Sequence, residues 1–400
     1  MKKTIKLAVV AALALGATSA FATNGSNMMG LGAKSCGMGG TGIGIAHGAE
    51  SALVNPALIT SVKGTEISFG GTLFMPDVST DGGSAGQVTD DSDADINVIP
   101  EVSLAGKITE NFYMGVGMWG TAGMGTDYRD AANPGTMKMV TNLQLMQFGV
   151  PLAYKMDNFS VAVTPILQYG SLDMDFYADM VDSSTGNPGQ DGTPEHYGAG
   201  VSQDLAFGYN LGVAYEIAGV TMGATYVGQI DMDYTGQPGG ITELSTPATM
   251  GIGASYKINE HTIALDYKQI NWEDAKGYED FGWKNQNVIA LGYEYQANGW
   301  AARLGYNYAE SPIEDAGLAG TQINMFNLVG FPAITESHIT LGGSYDISTQ
   351  TSVDVAYVYS PESSETYDVV VGQDSDGPIV STLTTDHSQT GLSVQVNYNF

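Results

Sequence analysis

The 400-residue chain carries few side chains able to do chemistry, and their spacing argues against most kinds of it. Its five histidines are His47, His196, His261, His338 and His387. None falls at the His-x-x-x-His or His-Glu-x-x-His spacing that sets two ligands on one helix face, so no metal site is expected. No nucleophile stands in a recognisable pattern with any of them, and neither catalysis nor a cofactor is expected. Gly37-Met38-Gly39-Gly40-Thr41-Gly42 fits G-x-G-x-x-G. A dinucleotide site also needs a strand before that run and a helix after it, and neither is evident, so the glycines are read as packing and flexibility. The acidic runs Asp90–Asp95, Asp173–Asp182 and Asp374–Asp376 offer oxygen ligands to calcium, or to divalent ions shared with lipopolysaccharide phosphates. They lack EF-hand spacing and are read as solvated loops. Cys36 is the single cysteine, which excludes an intrachain disulfide.

The elements that hold these residues read as an exported β protein. Lys2, Lys3 and Lys6 precede an apolar run, Leu7–Leu15, and Ala20-Phe21-Ala22 has the form of a signal cleavage site, so residues 1–22 are expected to be a signal peptide. The remainder holds 11 basic and 43 acidic residues, and 11 − 43 = −32 gives a formal charge that disfavours nucleic acid as a partner. Charged residues make up 14% of the chain, against about 25% in ordinary soluble domains. Residues 23–62 are glycine-dense, lack strand alternation and read as a plug. From residue 63 onward fourteen alternating runs are expected as strands: 65–76, 95–109, 112–123, 138–156, 158–176, 202–217, 219–235, 246–258, 261–272, 285–296, 298–310, 334–346, 350–360 and 386–400. In one run Phe207, Leu211, Val213 and Ile217 alternate with Gly208, Asn210, Gly212 and Glu216. Successive strand side chains point to opposite faces, so each run has one apolar and one polar face.

Charge placement and loop length separate a membrane barrel from a soluble sandwich. Lys155, Glu216, Asp266, Lys268, Glu294, Arg303 and Asp354 all fall on the polar face of their runs. A Lys or Arg on a lipid face at mid-membrane costs about 2–4 kcal/mol. Tyr154, Tyr215, Tyr256, Tyr295, Trp300, Tyr357 and Tyr359 sit on the apolar face near strand ends, like an interfacial girdle. Connections alternate between short turns, such as Met156–Asn158 and Ile217–Gly219, and long loops, such as Ala178–Val201 and Pro361–Thr385. Outer-membrane barrels sort their connections in this way, and an even strand number sets both chain ends on the periplasmic side. Pro100, Pro151 and Pro165 interrupt candidate strands, each removing one backbone donor. The third run loses its pattern at Gly120-Thr121-Ala122-Gly123-Met124-Gly125, which reads either as a strand ending in a loop or as an opening in the wall.

Several of these features together resemble the FadL/TodX family of outer-membrane transporters for long-chain fatty acids and hydrocarbons. They are Gly30-Leu31-Gly32, the stretch Gly40–Ala57 closing in Asn55-Pro56-Ala57, Leu58-Ile59-Thr60, Phe69-Gly70-Gly71 and Met75-Pro76-Asp77, then Trp272, Gln286–Tyr293, Trp300–Tyr308 and Ser311-Pro312. The resemblance implies an all-β fold: a transmembrane antiparallel β-barrel of 14 strands, residues 63–400, with residues 23–62 as an N-terminal hatch inside the lumen. It implies a hydrophobic ligand, a long-chain fatty acid or hydrocarbon, taken up passively by the loops. The hatch at Asn55, Pro56 and Ala57 would gate it, Asn55 offering an amide to hatch and ligand. Release would pass sideways through the wall at Gly120, Gly123 and Gly125, with Pro100 on the neighbouring strand. Outer-membrane lipid and lipopolysaccharide are implied partners, as is the barrel assembly machinery through the terminal Phe400. The chain departs from the fatty-acid pattern in lacking a basic pair for the ligand carboxylate. Arg129 and Arg303 are its only arginines, and Lys276 is left as the candidate carboxylate partner. A general aqueous porin and a surface-structural barrel are the alternatives.

Overall fold

A computed structural model describes residues 23–82, 89–130, 138–178, 195–237, 243–374 and 377–400. The leader 1–22, the acidic residues Asp179 and Asp182, and Asp376 lie outside the described residues. Fourteen strands form the wall: β1 Thr65–Asp81, β2 Asn97–Lys107, β3 Phe112–Asp127, β4 Val140–Gly149 resuming as Leu152–Met156, β5 Phe159–Ala178, β6 Ser202–Ile217, β7 Val220–Val227, β8 Thr249–Ile258, β9 His261–Ile270, β10 Gln286–Ala297, β11 Trp300–Ala309, β12 Ser337–Asp346, β13 Thr351–Asp374 and β14 Gly377–Asn399. Each pairs antiparallel with the next, and β14 pairs with β1 from Asn399↔Glu66 to Thr384↔Asp81, which closes the ring. Closure gives every wall strand a partner on both sides, the condition for a sheet to stand in lipid.

The outer face carries the apolar set that the alternation predicts. Phe207 is 84% exposed, while Asn210 and Ala214 of the same strand are buried. Tyr154, Tyr215, Tyr256, Trp300, Tyr357 and Tyr359 are exposed on this face, and Asp266, Arg303 and Asp354 are buried on the other. One end of the barrel is drawn tight by two-residue turns, with Asp157, Ala218 and Asn259 in the left-handed region at φ 50°, 50° and 54°. The other end carries the long connections.

Four expectations change. β13 and β14 pair far beyond the membrane-crossing run, as far as Asp374↔Gly377, so Pro361–Thr385 is a protruding hairpin rather than a loop. β7 stops at Val227. The stretch that follows turns inward, burying Ile230, Met232 and Tyr234 and bridging Ile230↔Thr246. Pro165 sits within an unbroken β5, whereas Pro151 interrupts β4. Finally, Gly120–Gly125 does not end β3; it continues through a register shift between Gly120 and Ala122.

Candidate functional site

Residues 23–62 lie within the ring, nearly all buried, and their backbone is held by polar side chains of the wall's inner face. The Asp266 carboxylate of β9 accepts from three successive amides, Gly42 and Ile43 at 2.7 Å each and Gly44 at 3.2 Å. Consecutive N–H groups converging on one anion form a nest. Ser255 of β8 donates to Gly44 O at 2.7 Å, Thr340 of β12 accepts from Gly39 N at 3.0 Å, and Glu66 of β1 accepts from Ala49 N at 2.9 Å.

Asn55-Pro56-Ala57 belongs to this anchorage. Asn55 caps the short 3-10 helix Pro56–Ser61, its Oδ1 accepting from Ala57 N at 3.1 Å. Pro56 stands at the first helical position, where its missing N–H removes no bond. Asn55 Nδ2 donates to Ile43 O at 2.8 Å and to Val213 O of β6 at 3.1 Å. Both amide hydrogens are therefore engaged by protein, and the side chain is fully buried, so Asn55 ties segment to wall and offers no donor to a ligand. The fit requires glycine opposite: a Cβ on Gly212 would lie 2.3 Å from Asn55 Oδ1, and one on Gly223 would lie 1.9 Å from Ile43 O.

The wall comes apart between β2 and β3, as it does between β6 and β7 beyond Asn210↔Val227. β2 and β3 pair from Lys107↔Tyr113 up to Glu101↔Trp119 and no further. Pro100 and Gly120 are the next residues of the two strands. Beyond them β3 keeps its pairing with β4 but leaves β2, so Asn97–Pro100 and Gly120–Thr126 border a wedge. Asp93 N donates to Asp127 O at 2.8 Å across its far end. The inner side of the wedge is filled by the tiny hairpin Thr23–Met28, with pairs Thr23↔Met28 and Asn24↔Asn27. Asn27 bridges to Ala122, and Gly123 N donates to Ser26 O at 3.0 Å. The structure thus joins Pro100, Gly120, Gly123 and Gly125 at one border.

Towards the long connections the lumen is apolar. A continuous buried cluster gathers Met124, Met139, Leu143, Met174 and Met232 with Trp272, Tyr278 and Trp283, whose ring centroids lie 4.6–5.0 Å apart. The stretch Thr321–Gly330 folds in to complete it, Thr126 of β3 and Thr385 of β14 bonding the Val329 and Leu328 carbonyls. Gly25 of the hairpin abuts the Trp272 and Trp283 rings, and Ser26 Oγ bonds Tyr278 Oη at 2.9 Å. Lys276 is at the surface beside the cluster and is ion-paired with Glu243 at 3.1 Å and Asp231 at 3.3 Å, and Arg129 is paired with Asp127 at 2.6 Å.

Towards the tight turns the lumen is charged. A cavity of about 380 Å³ is lined by Lys34, His47, Glu66, Lys257, Glu294 and Arg303 among others. Lys34 Nζ lies 3.2 Å from Glu50 and 3.5 Å from Asp354, and Arg303 Nε donates to Glu294 at 2.8 Å. Burial works against the Lys34 ammonium, yet the carboxylates of Glu50 and Asp354 hold its pKa above the usual lysine value. Burial pushes Glu50 up to about 7 against the pull of Lys34, and lowers His47 to about 4.

Sequence reasoning marked the wedge and Asn55-Pro56-Ala57 but not the aromatic cluster, the Asp266 nest, or Glu101 and Lys34. Among the described residues no group of three or more His, Cys, Asp or Glu is placed to hold a metal ion. Comparison with known proteins gives one family. The model described as outer membrane protein transport protein (OMPP1/FadL/TodX) matches residues 7–400, and the chain belongs to that family. A long-chain fatty acid transport protein of Salmonella typhi is 23% identical over 80% of this chain and 85% of its own. A FadL homologue of Pseudomonas aeruginosa superimposes with a TM-score of 0.73 over 94% of this chain and 100% of its own, at 15% identity. The Pseudomonas putida toluene transporter TodX does so with 0.67, over 94% and 100%, at 18% identity.

Proposed function

We propose that this member of the OMPP1/FadL/TodX family carries hydrophobic small molecules passively across the outer membrane, with residues 23–62 as its hatch. The long connections collect the ligand and the aromatic, methionine-rich chamber receives it. The hatch, braced at Asn55-Pro56-Ala57, gates it, and the wedge between β2 and β3 releases it sideways into the membrane. The observation that carries this reading is the wedge itself: the hairpin that fills it also touches the chamber at Trp272, Trp283 and Tyr278. An apolar ligand passing straight on would meet the buried ions around Lys34 and Arg303, whereas the wedge leads from chamber to lipid. A filled lumen disfavours an aqueous porin, and the even strand number supports chain ends on the periplasmic side.

The ligand class we propose is neutral. Of the ligands named for relatives, a fatty acid carries a carboxylate and toluene does not, and here Lys276 and Arg129 are engaged by their own chain's carboxylates. A disulfide lock tests the route. In a Cys36→Ser background, Asn27→Cys with Ala122→Cys places two thiols at a bridging pair of hairpin and β3. Oxidation is expected to stop uptake of a labelled alkylbenzene into proteoliposomes, and reduction to restore it. Undiminished uptake by the oxidised barrel would rule out exit past the hairpin.

A further inference from the structure

The hatch is held unevenly along its length. Its second half, from Gly39 to Thr60, is fixed from several strands at once: Thr340 takes Gly39, Asp266 takes three amides, Ser255 takes Gly44 O, Asn210 donates to Val54 O at 3.0 Å, and Ser160 bonds Thr60 at 3.0 Å. Its first half is tied to β14 near both ends, Gln389 accepting from Thr23 N at 3.1 Å and Gln395 from Ala33 N at 2.9 Å, and meets β2 with less. Between the hairpin and the helix Ala33–Gly37, one short bond ties it to β2: Gly32 N donates to Glu101 Oε1 at 2.6 Å. Glu101 is also the last residue of β2 paired with β3 before the strands separate. It is 3% exposed, and nothing in the sequence pattern requires a charged residue there rather than a neutral one.

From this placement we propose that Glu101 is a positioning residue that latches the movable half of the hatch across the foot of the wedge. The inference rests on the reading of residues 23–62 as a hatch. Gly32 suits the post because its φ of 89° is open to glycine and strained for other residues, and a Cβ there would lie 2.2 Å from Glu50 Oε2. Next to it, Met28, Met29 and the adjoining Leu31 pack on Ile99 of β2 and Phe74 of β1, so the segment behind the wedge and the strand beside it share one apolar contact. A short bond from a backbone amide to a buried carboxyl oxygen leaves that amide unpaired when it breaks, so it is lost as a unit when the segment lifts. Release of Gly32 removes the tie to β2 and leaves Ser26–Leu31 on its remaining bonds, Gly123 N to Ser26 O, Ser26 Oγ to Tyr278, the Asn27–Ala122 bridge and Lys268 Nζ to Met29 O, while the Asp266 nest keeps the rest of the hatch seated, so the wedge opens without an aqueous pore through the lumen.

The test uses the full-length barrel in proteoliposomes, in the Cys36→Ser background, with Met28→Cys as reporter and a lipid-soluble maleimide as probe. Glu101→Leu keeps the bulk and removes the acceptor, and Glu101→Gln keeps an acceptor at the same reach. Leu is expected to speed labelling of position 28 by about twofold to tenfold, the equilibrium equivalent of losing one neutral hydrogen bond, while Gln stays near the parent rate. Ion conductance is expected to stay at the parent level in both. Equal labelling in Leu and parent, or equally fast labelling in Leu and Gln, overturns the latch. Should Glu101→Leu not assemble, Glu101→Thr, too short to reach Gly32 N, is read in its place against Gln. The readout is separable from the route: fast labelling in Leu together with uptake through the oxidised Asn27–Ala122 lock leaves the latch standing and removes the sideways exit. A working lock with unchanged labelling does the reverse.

Discussion

The two ends of the lumen are built from opposite materials, although the same strands run through both. At the end with long connections the inward residues are Leu, Met and Val, and the space between them is closed by aromatic rings from Trp272, Tyr278 and Trp283. At the end with tight turns the inward residues include Glu294, Arg303 and Asp354, paired with one another and with Lys34 of the N-terminal segment. Non-directional contacts let the first region reshape around a guest at small loss, since one ring or thioether can replace another. The second region is directional and buried, and removing one partner strands the others. Under the proposed function the chamber accepts the ligand, and the charged base holds the N-terminal segment.

The comparison breaks most visibly at Arg303. Its guanidinium meets Glu294 at 2.8 Å and Asp354 at 3.6 Å with 4% of the side chain exposed. Arg303→Met leaves two inward carboxylates without that cation, a loss of about 3–5 kcal/mol when one member of a buried ion network is removed. The temperature at which the folded barrel loses its compact mobility on a gel is expected to fall, with the ratio of alkylbenzene to fatty-acid uptake unchanged. A shift in that ratio would contradict the division of labour. At the other end, Trp272→Ala removes ring contacts each worth about 0.5–1.5 kcal/mol. Uptake of an alkylbenzene is expected to fall about twofold to tenfold, because about 1.4 kcal/mol is a factor of ten. Ring loss without an uptake defect would take the cluster out of the ligand path.

How far these regions were legible in the sequence follows from which residues face lipid. Strand number, closure and the side of each charge could be read because a lipid-facing surface imposes a strict two-residue period, as from Phe207 to Ile217. The hairpin from Pro361 to Thr385 carries no strand signature in the sequence for the converse reason. It stands beyond the apolar band, where Glu362, Ser364, Thr366 and Asp368 are exposed and no greasy partner marks the other face until Tyr367 and Val369. The wedge was partly legible, since Pro100 lacks a donor and Gly120–Gly125 lacks alternation. That β3 carries on through a bulge while parting from β2 is a matter of pairing, which one strand's sequence does not encode. The chamber was not legible, because Trp272 and Trp283, Phe326 and Phe331, and Leu143 meet only when separate connections fold into one mouth. Neither was the Asp266 nest, whose three donors are backbone amides that any residues would supply.

The smallest expected effect sharpens the comparison most, because it concerns the one cation that sequence reasoning offered to a ligand. Lys276 lies beside the chamber, on the connection whose Ala275 and Tyr278 are buried in it. Its Nζ meets Glu243 at 3.1 Å and Asp231 at 3.3 Å, and these partners raise its pKa while lowering that of Asp231, where the Gln229 side-chain bond comes first. A fatty-acid carboxylate would have to displace two carboxylates already in place, at an exposed site where exchanging one ion pair for another yields little. Lys276→Ala is therefore expected to leave fatty-acid uptake and alkylbenzene uptake in the same ratio as in the parent, at equal surface density. If the chamber recognised a headgroup through this lysine, fatty-acid uptake alone would drop, and the ratio, measured with both labelled ligands on one batch of proteoliposomes, would move. An unmoved ratio takes Lys276 out of ligand choice and leaves the aromatic rings and methionines as the groups the ligand meets.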